Sequence, residues 1–175
     1  VADRARLSGA MHTIIATDDE RIVEAAKQFG YYAMLTRADH VSGTDRIAEV
    51  ASREDWQDDA IVVNVQGDEP LIAPELIIEV AAALANSTEA VMATACHRIH
   101  AQSDFTNPNI VKVVLDKNGH ALYFSRAPIP YPRDTFAKDS VLPADMPVYR
   151  HIGIYAYRAS FLKQYADLIP AAIEH

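Results

Sequence analysis

Apolar and polar residues follow two different spacings along the first half of the chain. Three short apolar runs have the length of strands: residues 11–17, 31–36 and 60–65. Three longer segments repeat apolar residues on one face, as amphipathic helices do: residues 18–30, 44–54 and 74–86. Strands that alternate with helices predict an α/β fold in which helices flank a mostly parallel mixed sheet.

Residues with known preferences for helix ends mark the boundaries of these helices. Asp18 or Asp19 is a candidate N-cap of the first of them, and Gly30 is its candidate stop. Residues 1–10 predict the last turns of an earlier helix that closes at Gly9. We therefore expect the chain to begin inside a larger fold.

The second half of the chain has a different pattern. Residues 111–125 form two strand-like segments around the turn sequence KNG, which predicts an added β-hairpin. Residues 127–147 are rich in proline and follow neither spacing, so a long ordered loop is expected there. Residues 151–158 alternate again as a strand, and residues 159–169 predict a short amphipathic helix.

Length, charge and cysteine content limit the class of protein. A chain of 175 residues can bury one α/β core, so we predict a single domain over residues 1–175. The net charge of −8, without long runs of like charge, argues against general binding to nucleic acid or anionic membranes. Cys96 cannot form an internal disulfide and is expected to be buried. Without a transmembrane-length apolar stretch, these features predict a soluble, cytoplasmic protein.

Two acidic residues, Asp68 and Glu69, come shortly after the apolar run of residues 60–65. Ligands of open α/β sheets bind at the carboxyl ends of the strands, so Gln66 and Asp68 are expected at that rim. Asp68 is a candidate ligand of Mg²⁺, since this ion prefers hard oxygen ligands and is often bound through substrate phosphates. The alternative is that Asp68 or Glu69 caps the next helix, because acids are common at helix starts.

A polar loop and the first turn of the next helix contain a second candidate site. Ser42, Gly43 and Arg46 lie there, and the free N–H groups of a helix start favour anions. Ser42 or Thr44 could equally act only as the helix N-cap.

Two candidate side chains lie in the second half of the chain. Arg126 follows the predicted hairpin, and His151 begins the next predicted strand. A guanidinium matches the geometry of a carboxylate, and a histidine can hydrogen-bond a hydroxyl or a carboxylate. Taken singly, each is equally compatible with a structural or surface role.

Four strings, taken in order, resemble the 3-deoxy-manno-octulosonate (Kdo) cytidylyltransferase family. They are TRADHVSGTDRIAEV, VVNVQGDEPLI, NPNIVKVVLDKNGHALYFSRAPIPY and RHIGIYAYR. The resemblance covers essentially the whole chain and implies a Rossmann-like nucleotidyltransferase fold. It also implies a transferase that joins CTP and Kdo into CMP-Kdo and diphosphate, which activates Kdo for lipopolysaccharide synthesis.

The resemblance assigns expected roles to the candidate residues. Asp68 and Gln66 would be the catalytic residues, with Asp68 holding Mg²⁺. Kdo would be contacted by Gln66, Arg126 and His151, and Arg126 would face its carboxylate. The nucleotide would lie against the loop residues that precede and begin the helix, namely Ser42, Gly43 and Arg46.

The family pattern also includes segments that do not occur between Val1 and His175. They are an N-terminal strand with a loop that binds the triphosphate, and a C-terminal part with a glutamate at the sugar site and a second metal-binding aspartate.

The sequence also leaves two alternative functions open: a cytidylyltransferase for another acidic sugar, such as sialic acid, or a non-catalytic fragment of the fold. A homodimer is expected from the resemblance and from the apolar, aromatic residues 151–165.

Overall fold

The structure of the protein is a computed structural model. The structure describes residues 1–133, 142–143, 145–165 and 167–169. The chain divides into two compact units, one formed by Val1–Ala93 with Ile154–His175, and the other by Thr94–Gly153.

The first unit contains most of the helices. Its elements are α1 (Ala2–Leu7), β1 (Ile14–Thr17), α2 (Glu20–Gln28), β2 (Tyr32–Leu35), α3 (Gly43–Glu54), β3 (Ile61–Asn64), α4 (Pro74–Ala85) and α6 (Ala159–Tyr165). It also contains the last residues of β7 (Tyr149–Arg158).

Local capping explains where the helices of this unit begin and end. The Asp19 side chain accepts a hydrogen bond from the Arg21 N–H at the start of α2, and Ser42 caps α3 in the same way through Asp45. Gly9 and Gly30 follow α1 and α2 with positive φ, a conformation that favours glycine after a helix.

The strands of the first unit form a parallel ladder and an antiparallel ladder. β1 and β2 run parallel, with Thr17 opposite Leu35. β3 pairs antiparallel with the end of β7, with Asn64 opposite Tyr155. The core beside this second ladder is a cluster of buried residues on α3, β7 and α6, namely Ala51, Tyr157 and Leu162.

The second unit is built around a central antiparallel strand. Its elements are most of β4 (Met92–Arg98), α5 (Gln102–Thr106), β5 (Lys112–Leu115), β6 (Ala121–Ser125) and the start of β7. Lys112 on β5 lies opposite Ser125 on β6 and opposite Arg150 on β7. Gly119 turns the β5–β6 hairpin with a positive φ. A buried cluster of Ile99, Phe105, Ile110 and Val148 forms the core of the unit.

The α/β class and the added hairpin are confirmed, but the sheet is less parallel than predicted. Among the strand pairs of the described residues, β1–β2 is parallel, whereas β3–β7, β5–β6 and β5–β7 are antiparallel. The β5–β6 pair is antiparallel because a short hairpin turn at Gly119 joins the two strands.

Other parts of the chain also differ from what the sequence predicted. β4 and α5 were not predicted from the sequence. The predicted Pro-rich loop lies partly outside the described residues, at positions 134–141 and 144. Cys96 on β4 is half-buried instead of fully buried, and this burial raises the pKa of its thiol.

No helix in the described part of the chain is both long and apolar enough to cross a bilayer.

Candidate active site

The candidate site of Ser42, Gly43 and Arg46 lies where β3 ends and α3 begins. Asn64, the last residue of β3, is buried to 8 % exposure although its side chain is polar. A Cβ atom placed on Gly43 would lie 3.6 Å from Asn64 Nδ2, so the first residue of α3 is directly beside the strand end. The N–H groups at the start of this 12-residue helix therefore lie next to the carboxyl end of β3.

Ser42 acts as the N-cap of α3. Its hydroxyl oxygen accepts from the Asp45 N–H at 3.1 Å, and the hydroxyl also donates to an Asp45 carboxylate oxygen at 2.5 Å. The capping alternative for Ser42 is therefore realised, and its role at the nucleotide stays a prediction. Because Ser42 fixes the first turn of α3, it also fixes the adjacent backbone of Gly43.

Arg46 joins α3 to the ends of β1 and β2. Its Nη1 donates to Thr36 Oγ1 at 2.5 Å, and its Nη2 lies 3.3 Å from Asp18 Oδ1. The Thr36 N–H in turn donates to the Thr17 carbonyl at 2.8 Å. The guanidinium thus has protein partners at this rim, and a direct contact with a nucleotide stays a prediction. For Asp18 the sequence pattern predicts only a possible helix cap.

The loop before α3 is attached to the helix through one carboxylate. Glu49 is contacted by His40 Nε2 and by the Arg53 guanidinium, and it accepts from the Arg37 N–H at 3.1 Å. Burial by itself raises the pKa of Glu49, but the hydrogen bonds from His40 and the Arg37 amide and the charge of Arg53 hold that pKa below its ordinary value. No motif or spacing in the sequence singles out Glu49.

Gln66 and Asp68 lie in an exposed turn directly after β3. The turn is closed by the Glu69 N–H, which donates to the Gln66 carbonyl at 3.2 Å. The N-cap position of α4 is Ala73, so neither Asp68 nor Glu69 caps that helix. Within the described residues the Asp68 carboxylate has no hydrogen-bond or ion-pair partner, and it is therefore available to a ligand.

Asp68 is the one predicted metal ligand, and its role as a ligand of Mg²⁺ stays a prediction. The described part of the chain contains no group of three or more His, Cys, Asp or Glu side chains that could hold a metal ion. Asp68 nevertheless supplies the hard oxygen donor that Mg²⁺ takes, and Mg²⁺ commonly uses one or two carboxylates together with phosphates and water.

The second unit brings His151 into a half-buried aromatic setting. The His151 ring packs edge-on against Phe124 of β6 with 4.9 Å between centroids. Its Nε2 lies 3.0 Å from Thr94 Oγ1 on β4. Burial lowers the pKa of His151, which favours the neutral imidazole. A neutral ring suits hydrogen bonding to a hydroxyl group.

Arg126 lies at the end of β6 and is exposed. Its Nη1 donates to the Pro108 carbonyl at 3.1 Å and to the Asn109 carbonyl at 3.3 Å. No described residue accepts a hydrogen bond from its Nε or Nη2. The guanidinium is thus held at one corner, while the edge that can bind a carboxylate in two places remains accessible.

Lys112 was not predicted as a site residue, although it is close to Arg126. Its side chain is completely buried, and its Nζ donates to the Arg126 carbonyl at 2.6 Å. Burial and the charge of Arg126 lower the pKa of Lys112. The sequence signal was a lysine inside the apolar run VKVVL, where an exposed position would normally be assumed.

Comparisons with known proteins bear on the family and the fold of this chain. The cytidylyltransferase family model matches residues 1–175, the whole chain. The structure of CMP:2-keto-3-deoxy-manno-octonic acid synthetase complexed with CTP is similar, with 38 % sequence identity and a TM-score of 0.85. The similarity covers 99 % of this chain and 67 % of that chain. The fold and the family are therefore shared over the full extent of the sequence.

Proposed function

This chain belongs to the cytidylyltransferase family, a family of nucleotidyltransferase enzymes, and from that premise we propose that the intact protein activates Kdo. In this reaction CTP and Kdo give CMP-Kdo and diphosphate. The observation that carries the proposal is the similarity, over nearly the whole chain, to a synthetase for the same sugar acid in complex with CTP. We further propose that the enzyme acts in the cytoplasm and that its product serves lipopolysaccharide synthesis.

The reaction brings two anions together, which defines what the residues must do. The anomeric hydroxyl of Kdo attacks the α-phosphorus of CTP, a new P–O bond forms, and the bond to the β-phosphate breaks as diphosphate leaves. Mg²⁺, when bound, neutralises phosphate charge and acidifies the attacking hydroxyl. We propose that Asp68 holds this ion and that Gln66 positions the sugar beside it.

The nucleotide and the sugar acid would use different groups of the protein. We propose that the cytidine lies against Ser42, Gly43 and Arg46, where the start of α3 offers N–H donors next to the end of β3. Arg126 would take the Kdo carboxylate through its accessible Nε–Nη2 edge, since a planar fork binds a carboxylate in two places. His151 would contact a Kdo hydroxyl as a neutral ring.

An assay of diphosphate release by the purified intact protein tests the proposal. We expect release that requires CTP, Kdo and Mg²⁺ together, and a product with the mass of CMP-Kdo. Turnover with sialic acid in place of Kdo would support the alternative acidic sugar. No turnover with either sugar, by a protein whose mass matches the whole reading frame, would support a non-catalytic role.

A further inference from the structure

A buried cation lies beneath the exposed Arg126. Lys112 is the first residue of β5, and its side chain has no exposure to solvent. Its Nζ donates three hydrogen bonds to main-chain carbonyls, namely those of Asn107 at 3.0 Å, Ile110 at 2.7 Å and Arg126 at 2.6 Å. An ammonium has three donors, so every donor of this group is used.

The same short turn also binds the Arg126 side chain. Residues 107–110, with the sequence NPNI, form a turn that we call the NPNI turn. Its first and last carbonyls accept from Lys112, and its two middle carbonyls accept from Arg126. The turn is closed internally, because the Asn107 side chain accepts from the Asn109 N–H at 2.9 Å. All four successive carbonyls therefore point to one of two cations.

The buried position of the Lys112 ammonium has an energetic cost. Burying a lysine ammonium beside a second cation carries a desolvation and repulsion cost that an apolar residue would not. The three hydrogen bonds offset that cost and join the NPNI turn to the main chain of Arg126. Lys112 thus holds the backbone of Arg126, and the NPNI turn holds its Nη1 corner.

We propose that Lys112 is a positioning residue that fixes the Arg126 guanidinium for binding of the sugar carboxylate. This inference rests on the proposed function, because it names the carboxylate of Kdo as the group that Arg126 receives. Lys112 itself is buried and touches no substrate. Its effect is therefore expected on the affinity for the sugar acid and not on the affinity for CTP.

The kinetic test uses Lys112→Met in the intact protein. Methionine keeps the length of the side chain but removes all three donors. We expect KM for Kdo to rise at least about tenfold, as for a lost set of buried hydrogen bonds, while KM for CTP stays within about twofold. Lys117→Met, at an exposed position in the hairpin turn, is the matched control and should change neither value.

A double-mutant cycle separates positioning from general support of the fold. Arg126→Ala alone should lower kcat/KM for Kdo by ~30-fold to ~1000-fold, as loss of a charge-assisted pair does. In that background Lys112→Met should have no further effect on KM for Kdo. Equal changes in both KM values, unchanged KM values, or full additivity with Arg126→Ala would overturn the proposal.

Two further measurements keep the inference testable if Lys112→Met does not fold or the enzyme uses another substrate. Asn107→Ala opens the same turn at a half-buried position and should raise KM for Kdo alone, by about threefold; no change in that value would overturn the proposal. Hydrogen exchange in the NPNI turn and at Ala127 should be faster in either variant than in Lys117→Met. Unchanged hydrogen exchange would show that Lys112 does not hold the backbone of Arg126, and would overturn the inference. Faster exchange in the variants, together with an inactive wild type, would contradict only the proposed function.

Discussion

At the scale of single residues, Asp68 contributes little to the fold and is available to a ligand. It is exposed after β3 and has no side-chain partner among the described residues. We therefore expect Asp68→Asn in the intact enzyme to keep the melting temperature within a few degrees. Turnover should fall at least about a hundredfold, comparable to loss of a major electrostatic contact. Thermal unfolding and initial rates at saturating CTP and Kdo measure the two effects.

Glu69→Gln is the matched control for this substitution. Glu69 is the next residue, also exposed, and its carboxylate is likewise unpaired among the described residues. The control should retain turnover within a few-fold, because no metal role is proposed for it. If Asp68→Asn turns over normally at saturating Mg²⁺, Asp68 is not a metal ligand.

At the scale of elements, Glu49 connects the loop of residues 37–42 to α3. Its side chain is only 14 % exposed and has three partners. Glu49→Gln should lower the free energy of unfolding at pH 7 by about 1 to 3 kcal/mol, the usual cost of unsatisfied buried groups. Because the loop precedes the proposed cytidine site, KM for CTP should rise more than KM for Kdo. Urea unfolding and steady-state kinetics measure these quantities.

The effect of Glu49 should depend on pH in one direction. The pKa of Glu49 is lowered in the folded protein, so the unfolded chain binds its proton at a higher pH than the folded chain does. The stabilisation is therefore complete above the unfolded-state pKa, about 4.3, and is lost as the pH falls through the folded-state pKa. The difference in the free energy of unfolding between the wild type and Glu49→Gln should therefore become smaller as the pH falls over that range. Exposed Glu79→Gln on α4 should show no such convergence.

Elements with local signals could be predicted from the sequence, and elements set by tertiary pairing could not. The ends of α2 and α3 depend on caps one or two residues away, and the hairpin turn depends on Gly119. β4 was missed because its strand state depends on pairing with the distant β7. Lys112 was missed for a related reason: its acceptors are carbonyls whose position only the folded turn determines.

At the scale of the whole molecule, net charge and substrate charge have the same sign. The chain has a formal net charge of −8, and CTP and Kdo are also negatively charged. The net charge of the protein therefore does not attract these substrates, and the proposed site relies on local cations and helix N–H groups. Arg126 and the start of α3 are such groups.

We expect the predicted homodimer to use a surface other than the aromatic segment of residues 151–165. Tyr155, Tyr157, Phe161 and Tyr165 pack on one another inside the first unit. Their apolar character is therefore explained within one chain. Exposed apolar residues occur instead on β6, which pairs with β5 and has no second strand partner among the described residues. An edge strand with apolar side chains is suited to pairing with another subunit.

Leu122 on β6 allows a direct test of that surface. It is 65 % exposed, which matches the 67 % exposure of Leu7 on α1 in the other unit. We expect light scattering of the intact protein at micromolar concentration to give a dimer mass. Leu122→Glu should shift it to the monomer, since two buried charges would face each other across a two-fold interface. Leu7→Glu adds the same charge elsewhere and should leave the dimer intact. A monomer mass for the wild type would refute the homodimer, and a dimer that tolerates Leu122→Glu would assign the interface to a different surface.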